Sequence, residues 1–224
     1  MPEAGDRRSE GVADLGARRA RVLAAPFLTD SAGGLFATPE DGQPDDAGDG
    51  RHEDGRHEEV YDGAACYLRV GEAWTTFGGP VDPSGPRGPN DPLWPLDAVF
   101  GAGDDGAMVG AEEVRGEPAT RYRLTVDLGL ADTLLPAGVS VPAGPYRALS
   151  RLPAEVWLDA GGLARRVAVA TDPIAAAETQ VWAVVELWDF GVPAEITTPS
   201  RDALVSPAEA YCRVYDDTGD AASG

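Results

Sequence analysis

The most regular stretch of the chain is residues 120–128, where Tyr122, Leu124, Val126 and Leu128 point one way and Arg121, Arg123, Thr125 and Asp127 the other. A period of two marks a strand with one face buried. Runs of similar character cover residues 66–70, 74–77, 107–115, 154–158, 163–170 and 179–190, bounded by turn formers such as Asp62-Gly63 and Gly161-Gly162. Val60-Tyr61 opens the series, Gly116-Glu117-Pro118 joins the strand at 107–115 to that at 120–128, and Gly191-Val192-Pro193 ends the last. Residues 19–27 fit a short helix or a strand and lean to strand. One helix start is clear: Asp91-Pro92 as N-cap and first-turn proline ahead of residues 93–100. Residues 129–151, with Pro136, Pro142, Gly144 and Pro145, read as a crossover excursion with one helical turn, in the position of a flap. About seven to nine strands against one or two short helices exclude a βαβ architecture and predict an α+β, mainly β fold built on a strongly curved antiparallel sheet.

The rest of the chain is organised around that sheet. Residues 1–18 are small, charged and glycine-rich, a disordered lead-in. Residues 19–199 form a single domain, interrupted at 41–59 by an acidic flexible loop that holds the near-duplicates RHEDG and RHEEV. Residues 200–224 are a polar tail on which Tyr211, Val214 and Tyr215 offer docking points.

The strand faces carry the functional argument. In the last strand Val181, Ala183, Val185 and Leu187 share one side, and Trp182, Val184, Glu186 and Trp188 the other. The aliphatic side continues through Val156, Leu158, Val167, Val169, Tyr122, Leu124 and Val126, giving a broad apolar wall. Only residues 92–100 and part of 129–151 are on hand to cover it. An uncovered apolar concavity binds an apolar ligand or another chain, unless loops and residues 19–36 fill it. The opposite face sets Trp157, Trp182 and Trp188 among Arg121, Arg123 and Arg166, a pattern for a cross-strand ladder of rings and guanidinium groups or for a partner face.

Residues 97–199 also resemble a known family. The segments are Val109-Gly110 with Glu112-Glu113-Val114-Arg115-Gly116, then Thr120-Arg121-Tyr122-Arg123 running to Val126-Asp127-Leu128. Leu152-Pro153, Val156-Trp157-Leu158-Asp159, Gly162-Leu163 and Arg165-Arg166-Val167 follow, and Asp189-Phe190-Gly191-Val192-Pro193 closes the set. In order and spacing these resemble LolA-like lipid carriers, more closely the LprG/LppX-type lipoproteins of the actinobacterial cell envelope. The resemblance implies a half-open β-barrel packed by helices, a non-enzymatic carrier role, and a concave wall built from Tyr122, Leu124, Val126, Val156, Leu158, Val167, Val169, Val185 and Leu187. The chain departs from the family in showing no lipobox cysteine, and its N-terminal helix and opening strand pair are hard to find before Val60.

Composition narrows the alternatives. The 224 residues hold 38 acidic and 18 basic side chains, a net charge of -20, which repels nucleic acid and anionic lipid headgroups at long range. All 18 basic residues are arginine, so lysine-dependent chemistry and a P-loop are excluded. Cys66 and Cys212 fit neither a zinc cluster nor a redox CxxC and either pair or remain thiols. No run is long enough for a membrane span or an export signal, which gives a cytoplasmic expectation, or the cell envelope if the true start lies elsewhere. His52 and His57 are spaced five apart in the acidic loop, off the helical metal spacing, and read as solvated. The loop lacks a calcium pattern, with Ala47 and Arg56 at ligand positions. Glu112 and Glu113 point to opposite faces of a strand and cannot share a substrate. No catalytic constellation, cofactor or metal is expected.

The reading is therefore non-catalytic binding of a lipid or other apolar ligand, with Arg147 or Arg151 near the rim for an anionic headgroup. The alternative is a protein-interaction or regulatory module that uses the same sheet.

Overall fold

The computed structural model describes residues 9–24, 57–62, 65–76, 92–136, 141, 150–170 and 182–210. The chain separates into two compact units, residues 1–83 with 194–224, and residues 84–193. The mainly β class with few short helices is observed, and the strands are hydrogen bonded into two ladders.

The first unit is a six-stranded sheet in the order β1-β2-β3-β4-β5-β11. Its strands are β1 (Glu10–Asp14), β2 (Arg19–Ala24), β3 (His57–Asp62), β4 (Ala65–Val70), β5 (Ala73–Thr76) and β11 (Leu204–Val205). All pairs are antiparallel except β11, which lies parallel to β5 with Leu204 opposite Trp74. Within the stretch read as a lead-in, residues 10–14 thus form a strand, and within the stretch read as a tail, Leu204 and Val205 extend the sheet. The hairpin between β4 and β5 turns in two residues, and Gly71 supplies the positive φ (58°) that a primed turn requires. Gly11 lies so close to Arg21 that a β-carbon there would strike the Arg21 carbonyl oxygen. In β3 the five residues from His57 to Tyr61 are all buried. The sequence places His57, Glu58 and Glu59 in a flexible acidic loop; the structure corrects this, since the loop reading followed residue polarity whereas these residues form an interior strand, paired with β2 on one edge and β4 on the other, and their side chains are buried. Residues 41–56 lie outside the described residues.

The second unit is a five-stranded antiparallel sheet in the order β10-β9-β8-β7-β6. Its strands are β6 (Ala107–Val114), β7 (Glu117–Asp127), β8 (Arg151–Leu158), β9 (Ala164–Ala170) and β10 (Trp182–Glu186). Arg115 and Gly116, with φ of 52° and 82°, form the turn between β6 and β7, so Glu117 and Pro118 belong to the strand and not to the connection. The β8–β9 hairpin is held by Asp159, whose carboxylate accepts from Gly161 N and Leu163 N, both at 2.9 Å. β10 ends at Glu186, leaving Leu187 and Trp188 past the strand, shorter than the run of alternation suggests.

Two short helices belong to this unit. α1 (Trp94–Ala98) starts from Leu93 without a side-chain cap and runs into a 3-10 turn over Val99–Gly101. Asp91, the expected cap, lies outside the described residues. α2 (Leu128–Leu134) is capped by Asp127, whose carboxylate accepts from Leu130 N at 3.0 Å. This is the helical turn expected within 129–151; most of the remaining excursion is outside the described residues. Trp94, Ala98, Leu128, Ala131, Leu135 and Val141 pack on Val126, Leu152, Ala154, Val156, Val167 and Val169 in one apolar cluster. Burying a side chain of this size stabilises by about 1.5–3 kcal/mol.

Candidate functional site

Pairing in the second sheet lays its apolar face out in rows. Leu124, Ala154, Val169 and Ala183 form one row; Met108, Tyr122, Val156, Val167 and Val185 form the next; Thr120, Leu158 and Ala164 follow. Leu187 N donates to Arg165 O at 2.9 Å, which carries the last row beyond β9. Burial falls along this series. Val126, Leu152, Ala154 and Val169 are completely buried under the helices, whereas Leu158 and Ala164 pack part-exposed against the cluster and Tyr122, Val185 and Leu187 are half-buried. Met108 at the β6 edge is 71% exposed. Of the wall residues read from the sequence, Val126, Val156, Val167 and Val169 are thus inside the unit's own core, Tyr122, Leu124, Leu158, Val185 and Leu187 lie at its margin, and Val181 is outside the described residues.

The opposite face is ordered by charge. Arg121, Trp157, Arg166 and Glu186 stand side by side on β7, β8, β9 and β10. The Arg121 and Arg166 guanidinium carbons lie 5.2 and 5.1 Å from the Trp157 ring centre, within cation–π range. Arg121 donates to Glu155 at 2.7 Å and to Glu112 at 2.9 Å, Arg123 adds a bond to Glu155 at 3.3 Å, and Glu186 accepts from Arg166 and Arg115. Arg115 in turn lies 3.7 Å from the centre of the Trp188 ring. Trp182 packs part-exposed on Val114, Ala119, Trp157 and Ala168. Hydrogen bonds from Trp157, then Arg121, hold the Glu112 carboxyl below its usual range. Burial pushes the Glu186 carboxyl up, but Arg166 and Arg115 together outweigh it and the net direction is down. The expected ladder of rings and guanidinium groups is present, and Trp157, 5% exposed, is interior to it. Arg151, proposed from the sequence for a headgroup, is exposed at the start of β8 opposite Asp127, and Arg147 is outside the described residues.

A third group was not anticipated. His57, Glu59 and Tyr61 alternate along β3 and so share a face; His57 Nε2 is 2.8 Å from Glu59 Oε1, and the Tyr61 hydroxyl donates to Glu59 Oε2. Cys66 on β4 stands opposite Tyr61 and contacts its hydroxyl. Burial, followed by the neighbouring Cys66 and Glu59, drives the Tyr61 phenol far above its ordinary value. On the other face of β3, Glu58 accepts from Arg21 and from Arg69, the latter at 3.0 Å. The spacing His57-x-Glu59-x-Tyr61 beside the apolar Val60 was the available signal. Among the described residues no three His, Cys, Asp or Glu side chains are arranged to hold a metal ion, and no helix is long and apolar enough to cross a membrane.

No protein-family model matches the chain, and no curated protein matches it. Among solved structures it is similar to the crystal structure of LprF from Mycobacterium bovis, at 16% identity over 87% of this chain and 80% of that one, with a TM-score of 0.48. It is also similar to the crystal structure of the Mycobacterium tuberculosis lipoprotein LppX, at 12% identity over 73% of this chain and 75% of that one, with a TM-score of 0.37. At this identity neither a ligand nor a site is transferred from them. The functional reading rests on the chain's own residues.

Proposed function

We propose that this protein is a non-catalytic carrier that holds a lipid or other apolar ligand against the margin of the apolar face of β7 to β10. The observation that supports this is the fall in burial along that face, from the closed end at Val126, Leu152 and Val169 to the half-buried Tyr122, Leu158, Val185 and Leu187. Polar side chains are sparse on these rows, so selectivity rests on shape and apolar area. Each buried methylene contributes roughly 0.8 kcal/mol, so an acyl chain of about ten carbons or more offsets the cost of association.

The tryptophan face is the less suitable surface for a partner. Trp157 already bonds Glu112 through its indole N–H and lies between two arginines, an arrangement that is complete within the sheet. Native mass spectrometry of freshly purified protein followed by organic extraction tests the proposal. A co-purified lipid, or saturable uptake of a fluorescent fatty acid or a neutral acylglycerol, supports it. A ligand-free protein that takes up neither probe, or one that is uniformly dimeric and empty, overturns it.

A further inference from the structure

The apolar rows of the second sheet end beside a cation. β8 and β9 lose register between Trp157 and Leu158, so that Trp157 stands opposite Arg166, Leu158 stands opposite Ala164, and Arg165 is the extra residue of a bulge. The Arg165 carbonyl oxygen accepts from Leu187 N, which sets this residue level with the half-buried Leu158, Ala164 and Leu187 at the open margin of the face. Its Nε donates to Asp159 Oδ2 at 2.8 Å, and its guanidinium carbon lies 4.8 Å from the centre of the Phe190 ring. Asp159 is itself fixed by Gly161 N and Leu163 N, so the carboxylate that holds the cation is anchored to its own turn.

Arg165 is sparsely bonded for its burial. Its side chain is 20% exposed, less than Arg121 at 25% or Arg166 at 29% on the charged face. Arg121 commits both terminal nitrogens to Glu112 and Glu155, and Arg166 commits Nε and one terminal nitrogen to Glu186. Among the described residues the Arg165 side chain makes only the bond to Asp159, and its two terminal nitrogens keep contact with solvent. A part-buried guanidinium with unused donors beside an apolar surface suits an anion, which it can bond through two N–H groups at once. We propose that Arg165 anchors the headgroup of the ligand and that the ligand is an anionic amphiphile, with its carboxylate or phosphate on the Arg165 terminal nitrogens and its acyl chain along Leu158, Val185 and Leu187. The assignment rests on the carrier role proposed above and adds charge to a selectivity that the rows themselves set by shape. The net charge of -20 does not oppose it at close range, because physiological salt screens charges beyond about 8 Å.

The test titrates delipidated full-length protein with three single-chain probes that share one acyl chain: oleate, oleoyl lysophosphatidate and monooleoylglycerol, each below the concentration at which it aggregates. Oleate or lysophosphatidate should bind on the order of tenfold or more tighter than the neutral monooleoylglycerol. A preference for oleate alone assigns a carboxylate, and one for lysophosphatidate alone a phosphate. Arg165→Gln should abolish the preference while leaving monooleoylglycerol within roughly twofold of the parent, which also shows that the variant is folded. Asp159→Asn keeps the acceptor for Gly161 N and Leu163 N but removes the charge that competes for Arg165, and should tighten the anions severalfold without changing the neutral probe. A merely structural ion pair would shift all three probes together. Equal binding of the three by the parent, or an equal loss of all three in Arg165→Gln, overturns the anchor and leaves the carrier role standing. Binding of none overturns both.

Discussion

Trp157 on β8 donates its indole N–H to Glu112 on β6 at 2.7 Å, reaching across the intervening strand β7. The bond joins two strands that share no backbone hydrogen bonds, and Arg121 of β7 lies between them, bonded to the same carboxylate. Three neighbouring strands are thereby tied by side chains as well as by their ladder. Trp157→Ala should lower unfolding stability by about 3–5 kcal/mol through loss of a buried ring. Trp157→Phe, which keeps a ring between Arg121 and Arg166 but removes the donor, should cost distinctly less. Denaturant unfolding of the two variants checks the order; equal losses would mean that the ring adds nothing beyond the bond to Glu112, and an unchanged Trp157→Phe that the bond adds nothing beyond the ring.

The same carboxylates set the acid limit of the fold. Glu112 is held below its usual range by Trp157 and Arg121, Asp159 by the Leu163 backbone N–H and Arg165, and Glu186 by Arg166 and Arg115 against the effect of burial. A group whose folded pKa is depressed contributes stability above its unfolded value, and that contribution is lost as pH falls through the folded one. The contributions should thus be intact at neutral pH and disappear below about pH 4, the range of ordinary carboxylates. Because these groups are largely solvated, the effect is modest and weakens in salt. Thermal melts from pH 7 to pH 3 measure it, and Glu186→Gln should flatten the acid limb of the curve.

Much of this sheet was legible in the chain because period-two alternation is a local property. Tyr122, Leu124 and Val126 separate from Arg121 and Arg123 in the sequence as they do in space, and the ring and guanidinium ladder follows from register alone. Pairing is not local. The division of the strands into two ladders depends on which edges meet, and β11, two residues in parallel register with β5, leaves no periodic trace. The cover over Val126 and Val169 also exceeded expectation, since α1 and α2 are short yet bring Trp94 and Ala131 onto the wall, with Leu135 and Val141 beside them. His57 and Glu59 were missed because polar residue types outweigh position whenever the enclosing strands are unknown.

Glu59 is buried between two partners and depends on both. Tyr61→Phe removes the hydroxyl that bonds Glu59 Oε2 while preserving the ring, and should destabilise the protein by about 1–3 kcal/mol, the cost of an unpaired buried acceptor. Glu59→Leu removes the charge and leaves His57 and Tyr61 to find other partners. If that variant is as stable as the parent, the polar pairing serves something other than stability, as buried ionic groups often do. Chemical denaturation of the two variants separates these outcomes.

The closed and marginal ends of the apolar face should respond differently to mutation. Val169 is fully buried beneath the helices, so Val169→Ala opens a small cavity and should lower stability by about 1–3 kcal/mol while leaving probe uptake unchanged. Leu158 is half-buried at the margin, where a charge can remain partly hydrated; Leu158→Glu should fold, yet weaken uptake of a fluorescent fatty acid by on the order of tenfold or more, as a carboxylate facing an acyl chain must. Val185→Glu should behave like Leu158→Glu, since both flank the same rows. Near-ultraviolet circular dichroism confirms folding, and a titration of probe fluorescence gives the affinity. A folded Leu158→Glu protein that takes up the probe as well as the parent would move the ligand away from this face, whatever its stability.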